Sequence, residues 1–378
     1  MKIVIAVDSF KGSLTSLEAG NAAAEGILRV YPDAEILVRP LADGGEGTVD
    51  ALTSGMGGHL RTIPVEGPLG ETVRCSYGII GGTAVIEMAA AAGLPLVPPA
   101  LRDPMNTSTY GVGQVIADAM EQGCRRFLVG IGGSATNDGG AGMLQALGFR
   151  LTDADGGDIP RGAKGLAHLA HIDAAHALPA LSQCTFRVAC DVTNPLCGQK
   201  GASAVFGPQK GATEHTIPLM DAYLAHYADL ARQLYPNCDP DAPGSGAAGG
   251  LGFALHTFLG AQLCPGVDIV LEETRLSDAL RGADVAVTGE GRLDGQTAMG
   301  KAPIGVARLA KQHGCLTLAL CGGVTRDASA CNDAGIDAYF PIVRGATTLE
   351  DAMDPQNARA NMADAAEQAF RLLRAARR

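Results

Sequence analysis

The sequence predicts an α/β fold: a doubly wound parallel-sheet domain formed by both chain ends, interrupted by a second, inserted α/β domain with a mixed sheet. Three observations carry that prediction. The chain opens on a continuous apolar run at residues 2–7, the pattern of a strand covered on both faces. Strand-like and helix-like stretches alternate before about residue 65 and again after about residue 270, whereas the sequence from near His59 reads as short strands joined by Gly-Pro turns. At 378 residues the chain is too long for one ordinary core and comfortable for two.

Taken in order, the opening strand should lead into a helix. Thr15 and Glu18 make a capping box behind Leu14, and Leu17, Ala24, Leu28 and Tyr31 recur at helical spacing until Pro32. A strand at 35–39 completes a βαβ unit. Residues 61–80 and 83–88 then look like short antiparallel strands. Segments 125–142 and 185–196 each read as a buried strand running into a polar loop. Strand-like and helical stretches alternate again from 284 to 343, and a last helix aligns Met362, Ala366, Ala369, Phe370 and Leu373 on one face. Because chain ends lie at surfaces and insertions enter through loops, the economical division is a Rossmann-like domain of residues 1–65 plus 270–378 with residues 66–269 inserted.

Composition narrows the function. A formal net charge of −11 argues against a nucleic-acid or anionic-membrane partner, either of which needs a broad basic patch. The opening apolar run is too short for a secretory segment, and the least charged stretch, 78–100, contains Glu87 and is broken by glycines and prolines, so no membrane span is expected. Ten cysteines without a CxxC pair read as reduced thiols in a cytoplasmic protein. The oligomeric state stays open, a homodimer included.

Glycine-rich loops carry the candidate chemistry. The stretch 295–301, GQTAMGK, has Walker A spacing, with Gly300 and Lys301 ahead of a helix that Pro303 would start; Ala302 stands where a magnesium-binding hydroxyl belongs. Gly130, Gly132 and Ala135 satisfy a relaxed dinucleotide fingerprint, and Gly132, Gly133, Ser134, Asn137 and Asp138 are candidate nucleotide-binding residues, with Asp138 as a simple helix cap the competing reading. Ser9 and Lys11 could grip a carboxylate. Asp43, Glu46, Glu290 and Asp294 could hold magnesium or substrate hydroxyls, although surface turns also favour such acids. Asp191 and Asn194 end a buried strand as a base and an orienting amide would, or as a turn before Pro195, and Lys210 follows in GPQKG. No Ser-His-Asp order, G-x-S-x-G elbow or HExxH supports a hydrolase.

Together VDSFKGSL, LADGGEGTVDAL, GIGGSATNDGGAGMLQALG, CDVTNPLCG, GASAVFGPQKGA, TGEGRLDGQT and GKAPIGVA, in this order, resemble the bacterial glycerate kinase family over nearly the whole chain. Val7 departs from it, since the family's opening more often has proline before the aspartate. The resemblance implies a two-domain kinase that phosphorylates D-glycerate with ATP and Mg2+, yielding 2-phosphoglycerate in the bacterial branch. On the matched motifs, MgATP is expected across the loop at 130–140 and at Gly300 and Lys301, with glycerate near Ser9, Lys11, Asp43, Glu46 and Asn194 and domain closure bringing the two together. Glu290 and Asp294 are the metal candidates, Asp191 the group that orients or deprotonates the attacking hydroxyl, and Lys210 or Lys301 the charge that offsets the transferred phosphoryl. The alternatives are an NAD-dependent dehydrogenase of a small hydroxy acid, because the relaxed fingerprint is present, and a non-catalytic sensor of the same ligands.

Overall fold

The computed structural model describes residues 1–45 and 47–377, so Glu46 and Arg378 lie outside the described residues. In chain order the two main sheets use Lys2–Ile5 (β1), Glu35–Val38 (β2), His59–Glu66 (β3), Thr72–Ile80 (β4), Thr83–Glu87 (β5), Arg126–Gly130 (β6), Thr185–Ala189 (β7), Gln262–Cys264 (β8), Val285–Thr288 (β9), Leu316–Cys321 (β10) and Ala338–Pro341 (β11). The chain forms two compact units: Met1–Asp43, Asp50–Gly57 and Val267–Arg378 make the first, and Gly44–Val49 with Gly58–Gly266 the second.

The first unit is the doubly wound one. Its sheet runs β11-β10-β9-β1-β2 with every pairing parallel. Side chains alternate between sheet faces, and the core follows that period. Ile3, Ile5, Val285, Val287, Leu318 and Leu320 meet Ala23 and Ile27 of the helix Ser16–Leu28 and Met362, Ala366 and Phe370 of the helix Pro355–Ala376. On the opposite face Ala319 and Cys321 meet Ile304 and Ala307 of the helix Ala302–Gln312. Each fully buried aliphatic side chain contributes about 1.5–3 kcal/mol.

Two local devices set these helices in place. The expected capping box forms: Thr15 Oγ1 accepts the Glu18 N–H at 3.2 Å, and the Glu18 carboxylate accepts the Thr15 N–H at 2.8 Å. Gly26 lets the first and last helices touch, because a Cβ there would lie 1.8 Å from the Ala363 carbonyl oxygen.

In the second unit the sheet order is β8-β7-β6-β5-β4-β3. The pairs β3/β4 and β4/β5 are antiparallel and the remaining three are parallel, which is the expected mixed sheet. Strand β3 pairs with β4 from His59 to Glu66, so this segment, which the boundary at residue 65 left mostly with the first domain, belongs to the second sheet, as the change of texture near His59 suggested. Among the described residues no helix is long and apolar enough to cross a membrane.

Candidate active site

Strand order decides where the first unit can bind a ligand. From β1 the chain crosses to β2 on one side, whereas β9, β10 and β11 extend on the other, so the winding reverses between β1 and β9. Ligands of open α/β sheets bind outside the carboxyl ends of the strands at such a reversal. The loops leaving β1, β9 and β10 are laced together there. Asp8 N–H donates to the Gly289 carbonyl at 2.8 Å, Gly322 N–H to Glu290 at 3.1 Å, and Gly323 N–H to Gly291 at 2.9 Å. Gly289 makes the close approach feasible: its φ is +158°, and a Cβ would fall 1.8 Å from the Leu320 carbonyl oxygen.

These loops line a cavity of about 710 Å³ whose polar residues include Asp8, Ser9, Lys11, Asp43, Glu290 and Lys301. Asp8 is only 9% exposed. Its Oδ1 accepts the Ser9 N–H at 2.7 Å. Burial, then the neighbouring Asp43 and Glu290 carboxylates, push its carboxyl up to about 7, while the Ser9 hydrogen bond and Lys11 oppose the rise. Burial likewise raises Glu290, whose Oε1 accepts the Thr297 hydroxyl at 2.5 Å. Asp294 lines the same cavity, with Oδ1 accepting the N–H of Gln296 at 3.0 Å and of Thr297 at 3.2 Å.

Lys301 stands in extended conformation at the N-cap of the helix Ala302–Gln312. Its ammonium is 3.9 Å from Asp294 Oδ1, a loose pair that leaves the charge available to an anion. As expected, the Walker-like stretch lies between a strand and this helix: the short pair Arg292–Leu293 with Gly323–Val324 precedes it, and it includes a tight turn at Thr297–Met299. Pro303 has no N–H and Ile304 N–H bonds Lys301's own carbonyl at 3.0 Å, so the side chain, more than the helix start, supplies the positive charge.

The second unit revises several expectations. After β6, Ser134 bridges to Gly93 and Ala135 N–H donates to the Ala92 carbonyl at 2.9 Å, and the next helix, Ala141–Ala146, starts later and is short. The strand–turn–helix that a dinucleotide fingerprint requires is absent here. Gly132 and Gly133 are exposed backbone at the end of β6. Asn137 and Asp138 are fully buried. Asn137 donates to Ser203 Oγ at 2.9 Å, and Asp138 accepts the N–H and hydroxyl of Thr109 at 2.8 and 2.9 Å together with the Gly140 and Gly142 amides at 3.1 and 3.2 Å. Asp138 thus spends its carboxylate on groups at the start of the helix, as its competing reading had it, and Asn137 spends its amide in the interior.

Lys210 is corrected in the same way. It is 1% exposed, and its ammonium donates to Ser134 Oγ at 2.8 Å and to the Thr136 carbonyl at 2.7 Å. Burial pushes its ammonium down to about 7, against the pull of Asp138. It pins the glycine loop from beneath and does not reach outward to a phosphoryl group. Asn194 donates its side-chain amide to the Lys200 carbonyl at 2.7 Å. Asp191 is exposed at the end of β7 and accepts the Gly266 N–H at 3.0 Å. Glu46, expected beside Asp43, lies outside the described residues. Sequence reasoning passed over Asp8, although its position directly after the first buried strand was the available signal.

A family model described as the glycerate kinase family matches residues 3–374. The chain is 50% identical over 356 residues to a glycerate kinase of Bacillus subtilis (strain 168), spanning 94% of this chain and 93% of the relative. It is 48% identical over 354 residues to a glycerate 2-kinase of Escherichia coli (strain K12), spanning 93% of each. The crystal structure of a protein assigned as glycerate kinase 2 from Salmonella typhimurium LT2 matches with a TM-score of 0.92 and 47% identity, over 100% of this chain and 99% of that one.

Proposed function

Since this chain belongs to the glycerate kinase family, we propose that it transfers the γ-phosphoryl group of ATP to the 2-hydroxyl of D-glycerate, giving 2-phosphoglycerate, with Mg2+ as the accompanying ion. The observation that supports this reading best is the cavity outside β1 and β9, where two cations, Lys11 and Lys301, face the carboxylates Asp8, Asp43 and Glu290. An anionic acid and a triphosphate must be held against a net charge of −11, and local ammonium groups are how such a chain can do it. In this reading Ser9 and Lys11 grip the glycerate carboxylate and Asp43 takes a hydroxyl. Asp8, with its carboxyl near 7, accepts the proton of the attacking hydroxyl. Lys301 offsets charge on the transferred phosphoryl.

The donor set of the cavity fits magnesium. Its acids are hard oxygen ligands, and no three or more His, Cys, Asp or Glu side chains form a metal cage among the described residues. Magnesium characteristically takes one or two carboxylates and completes its shell with phosphate and water. Glu290 and Asp294 would hold it, and it would supply charge neutralisation at the phosphates. The choice of the 2-hydroxyl follows the E. coli relative. A reducing cytoplasm suits ten free cysteines. The dehydrogenase alternative finds no support in the relatives described above or in the loop after β6.

Phosphorus NMR of one incubation of the chain with ATP, magnesium and D-glycerate tests the reading. A 2-phosphoglycerate resonance is expected, with ADP in equal amount. A 3-phosphoglycerate product would overturn the regiochemistry, and release of neither phosphoglycerate would overturn the kinase reading itself.

A further inference from the structure

The same cavity has more room than a three-carbon acid can use. Glycerate fills on the order of 100 Å³, a few times the roughly 30 Å³ share of a water molecule. The cavity of about 710 Å³ falls instead in the range that holds a nucleotide-sized ligand, roughly 300–1,000 Å³. Besides the carboxylates its lining includes apolar side chains: Phe10, Ile342, Leu349, Ala352 and Met353. Leu349 is 75% exposed, an unusual state for a large aliphatic side chain at a cavity wall.

That wall adjoins the loop after β1. Leu349 and Met353 lie on the short helix Leu349–Met353, whose start is fixed by Thr348 Oγ1 accepting the Asp351 N–H at 3.1 Å. Met353 also abuts the loop that carries Asp8, Ser9 and Lys11, since a Cβ at Gly12 would lie 2.9 Å from Met353 Cε. The one cavity is lined both by cations, Lys11 and Lys301, and by aliphatic and thioether side chains. A ligand with a polyanionic tail and a flat apolar head finds partners for both there, ammonium groups for the tail and Leu349 and Met353 for the head.

We propose that the wall formed by Phe10, Leu349, Ala352 and Met353 binds the nucleobase of the phosphoryl donor, in the same cavity as the transferred phosphate. The proposal rests on the kinase reading above. Covering Leu349 and Met353 removes apolar area from water only when the base is present, so the base adds affinity that bare phosphates lack.

The test compares ADP with inorganic tripolyphosphate, in the presence of magnesium, on the wild-type chain and on the double variant Leu349→Asn/Met353→Gln, which changes no charge. The dissociation constant for ADP should rise at least about tenfold in the variant, equivalent to about 1.4 kcal/mol, while that for tripolyphosphate stays within about twofold. Unchanged ADP affinity, or equal losses for both ligands, would overturn the inference. Photolabelling the wild-type chain with 8-azido-ADP decides the matter without a variant: adducts are expected on Phe10 or within residues 349–358, and adducts confined elsewhere overturn it. Wild-type turnover of ATP and glycerate, run alongside, separates the two readings. Turnover with labels elsewhere removes only the base site, whereas labels on the wall without turnover remove only the kinase activity.

Discussion

Replacing Asp8 by asparagine is expected to lower turnover at least about a hundredfold and, at the same time, to stabilise the ligand-free folded chain at pH 8. Both effects have one cause. The Asp8 carboxyl rises from its ordinary 3.8 to about 7 chiefly because it is buried, and then because Asp43 and Glu290 are near. Between those two values the unfolded chain has lost the proton and the folded chain keeps it, so the folded state binds more protons and stability falls as pH rises. Above about 7 the full cost is in place, on the order of 4 kcal/mol at 1.36 kcal/mol per pKa unit. Asparagine cannot ionise and removes that cost. Urea midpoints of the variant and the wild type should therefore nearly coincide at pH 4 and separate at pH 8, with the variant higher. Asp191→Asn, assayed in parallel, discriminates the earlier candidate. If it loses turnover while Asp8→Asn keeps it, Asp191 is the proton acceptor and Asp8 is not.

Lys301→Met should show the second large effect, a fall of roughly 10²–10³ in kcat at saturating ATP, the usual loss when one preorganised charge facing a transition state is removed. Stability should hardly change, because Lys301 is 41% exposed and its ion pair with Asp294 spans 3.9 Å. The methionine keeps the aliphatic stem against its surroundings, so the loss reports the charge. A variant whose KM for ATP rises while kcat holds would place Lys301 in ground-state binding only.

Local pattern made much of the first unit legible. The continuous apolar run marked β1, Thr15 and Glu18 marked the helix start, and the spacing of Met362, Ala366, Ala369 and Phe370 marked the last helix; each is a property of neighbours in sequence. The loops after strands also fell where the parallel sheet needs them, which is why Ser9, Lys11, Asp43, Glu290 and Lys301 are brought to one cavity. Burial of the polar loop residues was not legible. Asp138 is held by Thr109, 29 residues earlier, and Lys210 reaches Ser134, 76 residues away. Neither partner could be inferred from spacing, so two charged residues in a glycine-rich context looked like ligand contacts when they serve the interior. Asp8 was overlooked for the complementary reason: its carboxyl matters because strand β9 and its loop come beside β1, a pairing across 282 positions of chain between Ile3 and Val285.

Most of this depends on the loops after β1 and β9 forming the phosphoryl-transfer site. A crystal structure of the chain with ADP, magnesium and D-glycerate tests that directly. Phosphate oxygens within hydrogen-bonding distance of Lys301, and glycerate in contact with Asp8 and Ser9, are the expected result. Nucleotide and glycerate bound together with no contact to residues 8–13 or 289–301 would contradict it.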